Sequence, residues 1–244
     1  MDINNAIGCD NFLDEDIFVI GCYPSDEDQI EILEKQIDMI RRHSNIHILI
    51  VSHYPISTRI QQSVDYVLYD RNNELGDDVS YIYNFYYDSG QDIILTQLPS
   101  KKYHATAILV NLKNVLRFCL GRYKRIHYVE SDFFFYVKKY LDKCEELFNN
   151  GKKFVGFFLP CDHSAIYPGL MSFDVGWMNS KLLKGYNWED YKKIDQYMTL
   201  NGSDPGNLIF EPWFYRYFKT FDMVEESVFM YECQEYVIIV MLEI

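Results

Sequence analysis

Short apolar runs alternate with amphipathic stretches along most of the chain. The runs are rich in Ile, Val and Phe, as is typical of buried strands, and they lie at residues 16–22, 46–51, 65–69, 126–129, 154–159 and 169–176. Between and after them the apolar spacing predicts helices, at residues 26–43, 105–120, 137–148, 177–184, 188–198 and 204–218. Residues 72–103 fit neither pattern and are predicted to be irregular. The alternation predicts an α/β fold with a mixed, mainly parallel sheet flanked by helices.

Polar residues mark both ends of the first predicted helix. Ser25 is predicted to be its N-cap, and Asp26, Glu27 and Asp28 follow in the first turn, where the helix dipole favours acidic side chains. Three basic residues at 41–43 stand at the other end, where the dipole favours cations. The helix is therefore expected to connect the first two strands.

The charge balance removes two classes of partner. The chain has 244 residues, with 23 Lys and Arg against 36 Asp and Glu, which gives a formal net charge of −13. Proteins that bind nucleic acid carry a basic patch for the phosphates, and this composition offers none. A polybasic membrane-binding surface is excluded by the same balance.

Cysteine usage and the chain termini predict the compartment. The six cysteines are scattered and have no metal-knuckle spacing, as expected of reduced thiols, and the N-terminus has no signal peptide. We therefore expect a cytoplasmic protein. Residues 236–242 form an apolar run far shorter than the roughly 20 residues that span a bilayer, so no transmembrane segment is predicted. Because this run ends close to residue 244, we expect a further segment to follow it.

Two carboxylates directly after a buried strand give the strongest chemical signal. Glu130 and Asp132 follow the strand at 126–129, at the carboxyl end, where open α/β sheets bind ligands. Residues two apart point to one side of an extended chain, so both carboxylates are expected to face one crevice. Such oxygens suit Mn²⁺ or Mg²⁺. The alternative is a solvated strand end whose acids have no ligand.

The order of elements, together with Glu130-Ser131-Asp132, resembles the GT-A glycosyltransferases, whose signature is a DxD motif after an apolar strand. The resemblance implies one GT-A-like domain over residues 1–244, with residues 16–135 as the nucleotide-binding half and 136–244 as the acceptor-binding half. It implies transfer of a sugar from a nucleoside diphosphate donor, most simply a UDP-sugar, to a hydroxyl acceptor such as a glycan. Glu in place of the first Asp departs from the pattern, whereas Asp132 retains the acid that commonly holds the metal.

The same resemblance implies roles for individual residues. The donor nucleotide would be bound by Cys22, Tyr23, Pro24, Asp70, Arg71 and Ser131, and the metal by Asp132 and Glu130. Lys101 and Lys102 are further candidates to neutralise the diphosphate. Glu211 would be the catalytic base of an inverting reaction, with Asp174 as its substitute and Trp177 as an acceptor platform.

Two other functions stay open on the sequence. One is a nucleotidyltransferase on a similar sheet, although residues 21–28 lack the Gly-rich loop and basic residue that usually follow its first strand. The other is a non-catalytic relative that binds glycans or a partner, which the altered first acid of the motif permits.

Overall fold

A computed structural model describes residues 15–52, 54–69, 85–88, 92–95, 104–159, 162–185 and 228–231. The strands are β1 (Asp16–Cys22), β2 (His47–Ser52), β3 (Tyr66–Tyr69), β4 (Phe85–Asp88), β5 (Asp92–Leu95), β6 (Arg125–Glu130), β7 (Phe154–Leu159), β8 (Asp162–Asp174) and β9 (Val228–Tyr231). The helices are α1 (Glu27–His43), α2 (Thr58–Gln61), α3 (His104–Cys119), α4 (Val137–Asn149) and α5 (Val175–Gly185).

Seven of these strands form one mixed sheet in the order β3-β2-β1-β6-β8-β7-β9. The first four in that order are parallel, and β7 pairs in parallel with β9. Only β8, within the described strands of this sheet, runs antiparallel to its neighbours β6 and β7. The predicted α/β fold with a mainly parallel sheet is therefore confirmed.

Helices cover both faces of the sheet. Phe18 and Ile20 of β1 belong to a core cluster that also contains the apolar face of α1 and residues of α4. The alternate residues Ile17 and Val19 are equally buried, and α3 contacts β1 and β2. Since successive side chains of a strand point to opposite faces, the arrangement has three layers. The run of apolar residues in β1 reflects burial on both faces, as expected for a central parallel strand.

The N-cap of α1 differs from the prediction by one residue. Asp26, rather than Ser25, has the extended backbone of a cap, and its side chain accepts a hydrogen bond from the Gln29 amide at 2.9 Å. The Gln29 side chain accepts in return from the Ser25 amide at 2.8 Å. Because the Gln29 side chain satisfies the Ser25 amide, the chain turns one residue later than expected.

The later elements were only partly predicted. The strand predicted at 169–176 is the end of the longer strand β8, and the following helix begins at Val175 rather than at Trp177. The segment predicted to be irregular, 72–103, contains the antiparallel pair β4 and β5. The helices predicted at 188–198 and 204–218, and the apolar run 236–242, lie outside the described residues.

A buried polar cluster joins β1, β6, β8 and α4. One ring nitrogen of His127 lies 2.7 Å from the Ser172 hydroxyl, and the other lies 3.3 Å from the Asp16 carboxylate. The hydroxyl of Tyr140 is 2.6 Å from the same Ser172 oxygen. These side chains satisfy one another where water has little access, so the cluster fixes how the antiparallel strand β8 sits beside β6.

Gly21, near the end of β1, is expected to tolerate no larger residue. A Cβ at this position would overlap the hydroxyl of Tyr128 and lie 2.9 Å from the ring carbon that carries it. Because Tyr128 is 2% exposed and cannot swing away, Gly21→Ala should lower the free energy of unfolding by about 1–3 kcal/mol, the usual cost of overpacking. Chemical denaturation measures this change.

Gly176→Ala is the matched control for that substitution. A Cβ there would meet Asp174 at 3.5 Å, an ordinary contact, and the residue is exposed on α5, where Ala is the better helix former. The free energy of unfolding of Gly176→Ala should equal or exceed that of the wild type. Equal stability of Gly21→Ala and the wild type would contradict the close packing of Tyr128 against β1.

Candidate functional site

Three parallel strands end together at one edge of the sheet. Cys22 of β1 pairs with Ser52 of β2, and Gly21 pairs with Glu130 of β6. The chain that leaves each strand is therefore brought to the same edge. In open α/β sheets this carboxyl edge is where ligands bind, so we take it as the candidate site.

A tight turn follows β6 and carries the predicted metal ligands. The amide of Phe133 donates to the carbonyl oxygen of Glu130 at 3.0 Å, which places Ser131 and Asp132 at the centre of the turn. The Ser131 amide donates to the Gly21 carbonyl at 2.9 Å and ties the turn to β1. Glu130 and Ser131 are half-buried, whereas Asp132 is exposed.

The geometry corrects one premise about the two carboxylates. The sequence predicts Glu130 and Asp132 on one side of an extended chain, but the chain is extended only as far as Glu130. Strand alternation therefore does not orient Asp132; the turn does. The two acids remain two residues apart at the same strand end, within one short loop.

Gln36 of α1 contacts this turn through two hydrogen bonds. Its side-chain nitrogen donates to the carbonyl oxygen of Glu130 at 2.5 Å and to that of Phe133 at 2.9 Å. The residue is fully buried. Gln36 was not among the predicted site residues, but the sequence does carry a signal: it is a polar residue among Leu33, Ile37 and Ile40 on the apolar face of the helix.

The Glu130 carboxylate affects the pKa of a tyrosine inside the sheet. Burial, and then the nearby Glu130 carboxylate, raises the pKa of the Tyr128 phenol well above its ordinary value. Tyr128 thus stays a neutral hydroxyl beneath Gly21. The phenol beneath Gly21 therefore adds no charge to the site.

Two tyrosines border the same edge. Tyr23 follows β1 and Tyr54 follows β2, and their rings meet edge to face with centroids 5.6 Å apart. The hydroxyl of Ser52 accepts from the Tyr54 amide at 3.0 Å and donates to its carbonyl at 2.6 Å, which orders the chain after β2. Tyr23 was predicted here, whereas Tyr54 was not, although an aromatic residue so close to a strand end is a visible signal.

The side chain of Cys22 does not face the site. It belongs to the core cluster, and burial raises the pKa of its thiol to about 12. The adjacent Pro24 is buried as well. A ligand at this edge can therefore meet Cys22 only through its backbone.

The start of α1 already carries its own negative charges. Asp26 caps the helix, and Glu27 and Asp28 lie in its first turn. These three carboxylates oppose the positive end of the helix dipole, so this helix start gives little attraction for an anion.

Asp174 and Trp177 lie at the opposite edge of the sheet. Because β8 runs antiparallel, Asp174 pairs with Arg125 at the start of β6, and the six-residue strand separates it from Glu130 by about 17 Å. Asp174 accepts from the Trp177 amide at 2.8 Å and binds Lys153 at 3.1 Å. Asp174 therefore caps α5 at the other edge of the sheet, and the described contacts lend no support to its predicted role as substitute base. Trp177 likewise packs against Phe154 away from the turn.

Four predicted site residues fall outside the part of the chain that the structure describes. These are the nucleotide-site residues Asp70 and Arg71, and the diphosphate candidates Lys101 and Lys102. Glu211, the predicted base, also lies outside the described residues. Their roles stay predictions.

The donor set of the turn fits a hard divalent cation. Glu130 and Asp132 offer carboxylate oxygens, which Mg²⁺ and Mn²⁺ prefer, and Asp132 is exposed enough for a ligand to reach it. Within the described residues no three His, Cys, Asp or Glu side chains cluster as a metal site. An ion here would complete its shell with water and with the oxygens of a bound phosphate, as Mg²⁺ commonly does.

Two grooves lie elsewhere on the molecule. One has a volume of about 960 Å³ and is lined at the amino-terminal edge of the sheet by polar residues that include Asp16, His47, Arg125 and Glu145. The other, of about 790 Å³, runs between α1 and α4 beside the exposed Tyr136. Neither includes a residue of the 130–133 turn.

Comparison with solved structures identifies the fold. The chain has the α/β fold of GT-A-like nucleotide-diphospho-sugar transferases. Mouse xyloside xylosyltransferase 1, in its apo form, is similar with a TM-score of 0.51 and 10% sequence identity, over 91% of this chain and 86% of that one. Neither a protein-family model nor a curated protein sequence matches the chain.

Two further structures are similar at lower scores. A mannosyltransferase from Pyrobaculum calidifontis, in complex with GDP-Man and Mn²⁺, gives a TM-score of 0.48 and 8% identity over 91% of this chain and 55% of that one. The 4-diphosphocytidyl-2C-methyl-D-erythritol synthase of Anaerococcus prevotii gives 0.47 and 13% over 90% and 87%. Among the described helices, none is both long and apolar enough to cross a membrane.

Proposed function

We propose that this protein is a metal-dependent glycosyltransferase that moves a sugar from a nucleoside diphosphate donor, UDP-sugar in the simplest case, to a hydroxyl acceptor such as a glycan. The observation that carries the proposal is the Glu130–Phe133 turn at the carboxyl edge of the sheet, with an exposed Asp132 and two tyrosines on the adjoining strand ends. The GT-A-like fold supports the same assignment.

Each described group at this edge has a chemical task under the proposal. Tyr23 and Tyr54 offer aromatic surface to the base, whose faces stack on such rings. Asp132, with Glu130 beside it, would hold Mn²⁺ or Mg²⁺. The ion, when bound, stabilises negative charge on the leaving diphosphate. The half-buried Ser131 would donate a hydrogen bond from its hydroxyl to the same phosphates.

The acceptor side of the reaction is assigned to Glu211. An inverting transfer needs a carboxylate within hydrogen-bond reach of the acceptor hydroxyl, to take its proton as the new bond forms. Asp174 is too far from the turn for this task. Of the two catalytic bases predicted from the sequence, the proposal therefore keeps Glu211. It comes just before Pro212, a residue typical of helix starts.

Donor binding should depend on metal through Asp132. Asp132→Asn removes a charged oxygen ligand and should weaken UDP binding in the presence of Mn²⁺ at least about tenfold, since outer-sphere changes alone typically cost about 10–100-fold in metal affinity. Isothermal titration with UDP, with Mn²⁺ and with EDTA, measures this. The fold should be unaffected because Asp132 is exposed.

Asp142→Asn serves as the matched control, because it removes an exposed carboxylate from α4 beside the opposite edge of the sheet. Its UDP affinity should equal that of the wild type. If wild-type affinity for UDP is the same with Mn²⁺ and with EDTA, the metal role is wrong.

The two tyrosines should contribute to nucleotide affinity. Tyr23→Ala and Tyr54→Ala should each weaken UDP binding by about 1–3 kcal/mol, the range measured for base–aromatic stacking. Tyr23→Phe keeps the ring and should bind as the wild type does. Tyr136→Ala, which removes an exposed ring beside the α1–α4 groove, is the control.

Fluorescence titration gives the affinities, and a melting curve shows whether each variant is folded. A folded Tyr23→Ala protein with unchanged UDP affinity would remove the tyrosine from the base site. An unfolded one would mean that the ring packs in the core, and Tyr54→Ala then carries the test.

Glu211 should act at the chemical step. General-base assistance is typically worth about 10²–10⁴-fold, so Glu211→Gln should lower kcat by that factor and leave UDP affinity unchanged. The anomeric configuration of the product, read by NMR, should be inverted relative to the donor. A retained configuration, or a fully active Glu211→Gln enzyme, would contradict the assignment.

A further inference from the structure

The turn that carries Ser131 and Asp132 is closed by backbone hydrogen bonds, and the Phe133 side chain at its end is buried in the core cluster. Its own hydrogen bond joins the Phe133 amide to the Glu130 carbonyl, and one bond ties Ser131 to Gly21 of β1. Both connect backbone groups at the rim of the sheet. The regular pairing with β1 ends at Glu130, and the Ser131 amide makes the bond to that strand just beyond it.

Gln36 is the side chain that spans this turn. Its nitrogen reaches the carbonyl oxygens of Glu130 and Phe133, the first and last residues of the turn. A planar amide with two N–H groups can hold two acceptors at once in a fixed relation. It therefore sets the distance between the two ends of the turn, and with it the position of the residues between them.

The orientation of the Gln36 amide is unambiguous. With the amide reversed, its oxygen would face two carbonyl oxygens, and no hydrogen bond would form. In the observed orientation the oxygen is buried with no hydrogen-bond partner within the described part of the chain. A fully buried glutamine that leaves its own acceptor unpaired is held there by what its nitrogen does.

We propose that Gln36 is the positioning residue of the donor site: by bridging the Glu130 and Phe133 carbonyls, it holds Ser131 and Asp132 where a metal–nucleoside diphosphate can bind. This inference rests on the proposed function, and it adds a residue of α1 that touches neither ligand. Loss of the bridge is expected to loosen the turn and weaken the binding of metal with nucleotide.

Gln36→Met and Gln36→Glu are the informative variants. Met has a similar length but no donor, so both hydrogen bonds are lost. Glu keeps the shape, and its buried carboxyl group is driven toward the protonated form, which donates one hydrogen bond. The affinity for UDP with Mn²⁺ should therefore fall in the order wild type, Gln36→Glu, Gln36→Met at pH 6, with an overall loss of about tenfold or more for two hydrogen bonds.

A control must separate positioning from a general loss of stability. Ile40 lies one turn further along α1, is fully buried in the same core and makes no contact with the turn through a hydrogen bond. Ile40→Val, or Ile40→Ala where a larger loss is needed to match the melting temperature of Gln36→Met, should bind UDP with Mn²⁺ as the wild type does. Turnover of Gln36→Met at saturating Mn²⁺ and donor should recover toward the wild-type kcat.

Hydrogen exchange tests the bridge without any ligand. In Gln36→Met the amides of Ser131 and Phe133 should exchange about tenfold faster or more, whereas the Ile40 control should leave them protected. Unchanged exchange, or Mn²⁺–UDP affinity lost equally in the stability-matched control, would overturn the inference. Wild-type protein that does not bind UDP with Mn²⁺ would instead contradict the proposed function, and the exchange rates would then decide on the bridge alone.

Discussion

Where the chain leaves a buried strand, its backbone carbonyl groups need new hydrogen-bond partners. The candidate site depends on how this chain meets that constraint. Regular pairing of β6 with β1 ends at Glu130. The Glu130 carbonyl already accepts from the Phe133 amide, and a buried carbonyl oxygen with no partner costs about 1–3 kcal/mol. One carboxamide, that of Gln36, meets the carbonyls at both ends of the turn. The solution itself leaves an unpaired oxygen on Gln36, a cost of the same order. Gln36 therefore adds little net stability and contributes mainly a defined geometry.

The two edges of the sheet differ in their chemistry, and the single antiparallel strand explains part of that difference. β8 brings Asp174 beside Arg125, where Lys153 also binds it, while Asp16 contacts both Arg125 and His127. Charges at this amino-terminal edge neutralise one another. At the carboxyl edge, the described residues instead present tyrosine rings, hydroxyl groups and the carboxylates of the turn.

The sequence predicted the elements whose residues show a local apolar pattern. It did not predict features that depend on strand direction or on contacts between distant residues. The apolar runs of β1, β2, β6 and β7, and the face of α1, are read directly from spacing. Alternation of apolar residues does not reveal whether a strand runs parallel or antiparallel to its neighbour, so the sequence could not locate Asp174 relative to Glu130. The Gln36 contacts join residues more than 90 positions apart, so no window of sequence contains them. Asp132 was predicted as a site residue because it directly follows an apolar run, which can be recognised from the local sequence.

Charge is the constraint that the proposed reaction has to overcome. A carboxylate and a phosphate 4 Å apart repel by about 4 kcal/mol at the effective dielectric of a protein surface, and the whole chain carries −13. Arg59, which follows β2 on α2, is already engaged by Glu27 at 2.9 Å and Glu34 at 2.6 Å. Arg59 is thus committed to these two carboxylates, and attraction for a diphosphate would come from a bound divalent ion or from other basic residues of the chain. A turn that offers carboxylates to such an ion converts this repulsion into binding, because the same ion is shared by the acids and the phosphates. For such a turn, the position of its carboxylates matters more than its contribution to stability. The Gln36 side chain, which bonds to both ends of the turn, supplies that position.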